Sequence, residues 1–158
     1  MKFGIQLLAL FLATPAVAGT QIISDHVKAV DGDTLDLSGI RMRLDAMDAP
    51  ESKQVCRRDG VDWLCGQESS AFMRKLVDGR TLTCSVVSHD RYGRVLGTCT
   101  LPDGRDVQEA SVAAGMATAY RHFSMKLAPA EDKAKADRIG IWASEFEEPY
   151  LWRKQHPR

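Results

Sequence analysis

The sequence predicts an α+β fold, namely a five-stranded β-barrel of the OB type with three α-helices, and two observations predict it. Five short runs have strand-like patterns and are separated by turn residues. A helical pattern follows the third run, and two more helical patterns follow the fifth. Five strands with a helix after the third fit a small closed sheet. The 158 residues suit one domain, without an internal repeat or a linker.

The five predicted strands are residues 22–30, 34–37, 40–44, 81–87 and 95–100. A Ser-Gly pair between the second and third strands indicates a tight turn, and an Asp-Arg-Tyr-Gly segment indicates another between the fourth and fifth. The polar, glycine-containing stretch between the third strand and the first helix is expected to be a loop, over residues 52–66.

The three predicted helices carry start and stop signals. The first covers residues 67–77. The second begins at Asp106, an N-cap residue with Glu109 three positions later, as in a capping box. The third has Pro129 in its first turn, and its charges are expected to form a solvated face. Each is followed by a glycine. Residues 145–158 are polar and are expected to form a loosely packed tail.

The N-terminus is typical of a secretory signal peptide, residues 1–18. Lys2 precedes a short apolar run, and small residues end at Ala18. We therefore expect an exported protein, periplasmic or extracellular, with no membrane segment after cleavage. An uncut membrane anchor is the alternative, but the run is short for a span. The expected mature domain is 19–158, with a core over about 22–144.

Because disulfides form in exported proteins, we expect the four cysteines to form two disulfides, for which three connectivities are possible. A hairpin across the turn at residues 90–93 places Cys84 opposite Cys99, which leaves Cys56 and Cys65 to close the loop before the first helix. The spacing does not fit a zinc site. Four free buried thiols are the alternative.

Net charge gives no support for nucleic-acid binding. Without residues 1–18 the chain has 20 Lys and Arg against 21 Asp and Glu. Any affinity for phosphate must therefore be local and assisted by a metal.

One segment concentrates carboxylates and arginines within a hairpin length, residues 30–51. With the turn at Ser38 and Gly39, the open end of the hairpin gathers Asp33, Asp45 and Asp48. Carboxylates at one rim suit an oxygen-preferring cation such as Ca²⁺. An arginine cannot help to hold a cation. Its position beside one is explained if a phosphate bridges the two, since guanidinium binds phosphate with paired hydrogen bonds.

These residues resemble the thermonuclease, or staphylococcal nuclease, family. The resemblance lies in Asp31-Gly32-Asp33-Thr34, in the run from Arg43 through Asp48-Ala49-Pro50 to Glu51, and in Asp90-Arg91-Tyr92-Gly93-Arg94. It continues through Asp103-Gly104, Glu109-Ala110, Gly115-Met116-Ala117 and Ile141-Trp142, and it covers nearly all of the chain after residue 22. The resemblance implies the same five-stranded barrel with three helices.

Phosphodiester hydrolysis needs an activated water, a cation and donors to the charge that develops on phosphate. Glu51 is the candidate for activating water, Asp33 and Asp48 for holding Ca²⁺, and Arg43 and Arg94 for gripping the phosphate. The resemblance implies the same roles.

The resemblance alone implies four further contacts. The backbone carbonyl of Ala49 would bind the metal; this position is commonly Thr in the family, so the side chain departs from the pattern. Arg91 and Tyr92 match positions that contact a terminal phosphate, and Tyr120 matches a position near the base.

Each residue also has a structural interpretation. Asp33 fits an ordinary turn, Arg94 fits a strand-edge charge, and Asp31 and Asp45 fit structural roles. The expected function is a secreted, Ca²⁺-dependent, monomeric nuclease acting on DNA and RNA. The alternative is a catalytically silent barrel that binds a polymer or a protein, since one fold supports several functions.

Overall fold

A computed structural model describes residues 19–157. In chain order the strands are β1 (Gln21–Ser24), β2 (Val27–Ala29), β3 (Thr34–Leu37), β4 (Ile40–Leu44), β5 (Met47–Asp48), β6 (Cys56–Arg58), β7 (Val61–Trp63), β8 (Leu82–His89), β9 (Val95–Thr100) and β10 (Thr118–Ala119). The helices are α1 (Cys65–Val77), α2 (Val107–Ala113), α3 (Ala128–Ala136) and α4 (Pro149–Gln155), with a 3₁₀ turn at Gly140–Ala143. The predicted signal peptide lies outside the described residues.

Six strands form the main sheet, in the order β1-β8-β9-β4-β3-β2. The predicted first strand is divided at Asp25 and His26. Its first half, β1, pairs with β8, while its second half, β2, pairs with β3. Because two halves of one bent segment occupy both ends of the order, the sheet curls into a half-barrel. The predicted α+β, OB-type class is confirmed.

The β3–β4 hairpin forms at the predicted turn. Ser38 and Gly39 have φ of 54° and 93°, the left-handed values that a two-residue hairpin turn needs. Leu35 then pairs with Met42, and both side chains are fully buried in the core. The predicted start of the second helix is also confirmed, because Asp106 caps α2 by accepting the Glu109 N–H at 2.9 Å.

Both predicted disulfides are confirmed. Cys84 and Cys99 are direct partners in the β8–β9 register, and their sulfurs are bonded. Cys56 and Cys65 are bonded across the segment that leads into α1.

Two segments differ from prediction. The expected loop over residues 52–66 contains the β6–β7 hairpin, which is fixed across its open end by the Cys56–Cys65 bond. The expected loose tail contains α4, which begins at Pro149. Within residues 19–157 no helix is both long enough and apolar enough for a membrane span.

Candidate active site

The open end of the β3–β4 hairpin brings Asp33 and Arg43 together. Thr34 pairs with Arg43 in the register, and Leu44 donates its N–H to the Asp33 carbonyl at 2.8 Å. The Asp33 residue is only 5% exposed. The hairpin prediction thus placed residue Asp33 correctly beside Leu44.

Gly32 allows Asp33 to lie close to the rest of the site. A Cβ at Gly32 would lie 2.3 Å from Ser69 Oγ and 2.7 Å from Ala49 Cβ, so only glycine fits this approach. Asp31 caps the same turn, because its Oδ1 accepts the Asp33 N–H at 3.0 Å. Ala49 in turn donates its N–H to Asp33 Oδ2 at 3.3 Å. Asp31 therefore has a structural role in addition to its charge.

Strand β10 holds the second carboxylate, Asp48, in place. Thr118 pairs with Asp48 and donates its hydroxyl to the Asp48 carbonyl at 3.1 Å. The next residue, Ala119, donates its N–H to Glu131 Oε1 at 2.9 Å. Glu131 is 2% exposed, so the expectation of a fully solvated charged face on the third helix is wrong at this residue. Its carboxylate links α3 to the strand beside Asp48.

Five side chains form a chain of alternating charge, which we call the charge chain: Asp33, Arg43, Asp48, Arg153 and Glu51. Arg43 donates from Nη1 to Asp33 at 2.8 Å and from Nη2 to Asp48 at 2.7 Å. Arg153 makes a paired contact with both oxygens of Asp48, each at 2.9 Å. Its Nη1 also donates to Glu51 Oε1 at 3.0 Å. The predicted Asp33, Arg43, Asp48 and Glu51 are therefore brought together.

Burial and charge set the protonation of this cluster. Burial raises the pKa of Asp33 to about 7, and the nearby carboxylates of Asp31 and Asp48 add to the rise, although Arg43 opposes it. Burial acts to lower the pKa of Arg43 and of Arg153, but their carboxylate partners outweigh it and both pKa values are raised. Both arginines stay protonated, so with Asp33 ionised, above its pKa of about 7, three carboxylates of the charge chain face two guanidinium groups.

The loop that follows Glu51 fixes its backbone. Glu51 donates its N–H to Gln54 Oε1 at 3.2 Å, and Gln54 returns its N–H to the Glu51 carbonyl at 2.7 Å. Gly66, directly after Cys65, lies against the same carbonyl: a Cβ there would be 1.7 Å from the Glu51 oxygen. Gln54 and the first turn of α1, at Gly66, therefore pack directly against the Glu51 backbone, and the Cys56–Cys65 bond lies next to Gly66 in the chain.

A cleft of about 10 Å³ opens between the two acidic ends of the charge chain. Asp31, Asp33 and Glu51 line it, together with the backbone around Ala49. Within residues 19–157 no group of three or more Asp, Glu, His or Cys side chains is arranged to coordinate a metal ion. The carboxylates of the lining residues, the size of about one water and the absence of sulfur or imidazole among the lining side chains nevertheless fit a hard cation that keeps water ligands.

Among the described residues, Arg94 is not bonded to any member of the charge chain. It donates from Nε to Asp90 at 2.7 Å, within the β8–β9 turn. The sheet register nevertheless keeps it near, because Arg43 pairs with Leu96, two residues further along β9. The side chain of Arg94 is 39% exposed, so a substrate phosphate has access to it.

The other predicted substrate-binding residues lie on two exposed loops. Tyr92 is 69% exposed, and the guanidinium of Arg91 lies 4.8 Å from its ring centre. Tyr120 follows β10, where its N–H donates to the Ala46 carbonyl at 2.8 Å. Its ring contacts Phe123, at 4.9 Å between ring centres. Among the hydrogen bonds and ion pairs of residues 19–157, none joins the Asp45 side chain to Asp33 or Asp48, and the Asp45 N–H donates to the Gly97 carbonyl of β9.

Sequence reasoning missed Arg153. It contacts Glu51 across 102 positions of sequence, so no motif links the two residues. The local signal was a proline in the first turn, Pro149, with basic residues in the last turn, which is typical of a short helix and not of a loose tail.

Comparisons with known proteins bear on the family of this chain. A sequence model described as "Staphylococcal nuclease homologue" matches residues 41–144. An uncharacterized endonuclease of Escherichia coli is 33% identical over 92% of this chain and 94% of its own length. A micrococcal nuclease of Shigella flexneri is 30% identical over 92% of this chain and 87% of its own. The succinoglycan biosynthesis protein ExoI of Rhizobium meliloti (strain 1021) is 38% identical, over 89% and 75% respectively.

The matched region contains Arg43, Asp48, Glu51 and Arg94, and it ends before Arg153. The half-barrel joins an arginine to two carboxylates at one rim. Two of the relatives are named as endonuclease and micrococcal nuclease. The chain belongs to the staphylococcal nuclease family and is a nuclease that hydrolyses phosphodiester bonds.

Proposed function

We propose that this chain is an exported, monomeric, Ca²⁺-dependent nuclease that acts on both DNA and RNA. The observation that carries the proposal is the charge chain with its cleft, because its two acidic ends, Asp33 and Glu51, line one space of about 10 Å³. No base-reading groove is required for hydrolysis of a backbone that both polymers share.

Asp33, Asp48 and the backbone carbonyl of Ala49 are the groups that would hold the cation; Asp48 would offer the acceptor position of Oδ2 that its bonds to Arg43 and Arg153 leave open. When bound, Ca²⁺ supplies positive charge that offsets the charge building on the phosphate. Glu51 accepts a proton from water or orients it, since its carboxylate lies at the mouth of the cleft. Arg43 donates to non-bridging phosphate oxygens by exchanging its present contacts with Asp33 and Asp48 for the substrate.

The exposed loops supply the remaining substrate contacts. Arg94 grips the phosphate from the side opposite Arg43. Arg91 and Tyr92 bind a terminal phosphate, and the Tyr120 ring lies beside a base. Stacking on an aromatic ring and contact with phosphate do not require a particular base, which supports action on both DNA and RNA.

Export explains the two disulfides, which persist in oxidising compartments. We accordingly propose that residues 1–18 are a signal peptide and that residues 19–158 form the mature single domain, periplasmic or extracellular. N-terminal sequencing of protein recovered from the periplasm and from the culture medium tests both statements. Recovery of a chain that still begins at Met1 would contradict them.

The activity proposal is tested with end-labelled single-stranded DNA, duplex DNA and RNA. Turnover should be lost in excess chelator and restored by Ca²⁺ but not by Zn²⁺, because the site offers no soft ligands. Glu51→Gln should lower kcat by at least about 10²-fold. Glu68→Gln is the matched control, an exposed carboxylate on α1 that should leave turnover unchanged. Full turnover in excess chelator would refute the metal requirement, and normal kcat in Glu51→Gln would refute the assigned base.

A further inference from the structure

Arg153 is the least expected member of the charge chain, because it comes from the C-terminal helix α4. Its two terminal nitrogens donate to the two carboxylate oxygens of Asp48, and Nη1 also donates to Glu51 Oε1 at 3.0 Å. The Asp48 side chain is 3% exposed, so this is a partly buried contact and not a pair on the open surface.

Helix α4 is held at this position by the loop that carries Glu51. Glu145 exchanges backbone hydrogen bonds with Arg57, at 2.7 and 2.8 Å. Gln54, whose backbone supports Glu51, donates from Nε2 to the Glu147 carbonyl at 2.6 Å. Phe146 packs against the Cys56–Cys65 cluster. The segment before α4 and the support of Glu51 are therefore one structural unit.

Arg153 connects the fixed residue Asp48 to the Glu51 carboxylate. Asp48 is fixed by strand β10, because Thr118 pairs with it and donates its hydroxyl to the Asp48 carbonyl, so Asp48 is the rigid end of the contact. Arg153 takes a set orientation from its paired bonds to Asp48, and its Nη1 also donates to Glu51. The cleft between Glu51 and Asp33 stays open, because Arg153 does not line it.

We propose that Arg153 is a positioning residue of the active site, which uses Asp48 as its anchor to hold the Glu51 carboxylate at the mouth of the cleft. The proposal rests on the proposed function of Glu51 as the group that activates water. Arg153 touches neither the phosphate nor the reacting water in this role; it acts through Glu51 alone.

The test compares kcat, KM and Ca²⁺ binding in Arg153→Gln, Arg153→Lys and the control Lys154→Gln. Lys154 carries the same charge on the same helix but lies beside the Tyr150 ring, at 5.5 Å. Arg153→Gln should lower kcat by about 10- to 100-fold with little change in KM, because Glu51 is displaced while substrate contacts remain. Arg153→Lys should recover part of the loss, since ammonium cannot make the paired contact. Lys154→Gln should match the wild type.

A double variant shows whether the effect passes through Glu51. Adding Arg153→Gln to Glu51→Gln should lower kcat no further, because the group that Arg153 positions is already gone. Calorimetric titration with Ca²⁺ should still detect binding to Arg153→Gln, which a collapsed site would not show. Both results together support the positioning role.

Two results overturn it. An unchanged or higher kcat in Arg153→Gln, with or without tighter Ca²⁺ binding, would make Arg153 a bystander or a competitor of the cation. A further loss of kcat in the double variant would mean that Arg153 acts on something other than Glu51. A wild-type protein without activity on any nucleic acid would instead refute the proposed function, and the positioning role with it.

Discussion

Gly66 offers the sharpest test of how the fold holds Glu51. In Gly66→Ala the new Cβ would lie 1.7 Å from the Glu51 carbonyl oxygen and 2.7 Å from its carbonyl carbon. An ordinary carbon–oxygen contact is about 3.3 Å, so the two backbones must separate by roughly 1.5 Å. A displacement of about 1 Å at a catalytic group costs roughly 10²-fold in rate. We therefore expect kcat to fall by at least about 10²-fold.

The loss should appear in turnover more than in helix formation, because Ala favours a helix over Gly by up to about 1 kcal/mol. The measurement is kcat at saturating Ca²⁺ and DNA, well below the melting temperature of each variant. Gly79→Ala is the control at the other end of α1. Gly79 has φ of 70° and no atom near its added Cβ, so the substitution strains the backbone by roughly 1–2 kcal/mol without touching the site. A kcat for Gly66→Ala within a few-fold of the Gly79→Ala value would show that α1 moves and Glu51 does not.

Three more predictions follow from the contacts described. Arg43→Lys should lose about 10²-fold in kcat, because one ammonium cannot replace the paired donors that Arg43 would turn from Asp33 and Asp48 to the phosphate; near-normal kcat would show that charge suffices. Replacing Cys84 and Cys99 by Ser should lower the free energy of unfolding in urea by about 3 kcal/mol, the model-dependent scale for a loop of 15 residues; an unchanged midpoint would contradict it. Glu131→Ala should cost about 2 kcal/mol in the same assay, since it leaves the Ala119 N–H unpaired, whereas the exposed Asp132→Ala should cost far less; equal losses would argue against the buried contact.

Local chemistry determined the parts of this protein that the sequence predicts well. Left-handed conformations at Ser38 and Gly39 fix the hairpin register, and the register alone places Asp33 beside Leu44. Equal distances from a turn place Cys84 opposite Cys99. The Asp106 cap acts within one helical turn. In each case the interacting groups are close in sequence or related by a single turn, so pattern suffices to find them.

Contacts between distant segments were decided only by the tertiary structure. The predicted first strand divides at Asp25 and His26 because its halves pair with different strands, which is how the sheet curls. Glu131 is buried because β10 presents the Ala119 N–H to it, and a helical pattern of charges cannot reveal that partner. Arg153 reaches Glu51 across 102 positions only because the β6–β7 hairpin and Gln54 hold the preceding segment. The sequence by itself therefore determined which residue types meet at the rim of the barrel. Packing between remote segments decided that the basic side chain in contact with Glu51 is Arg153.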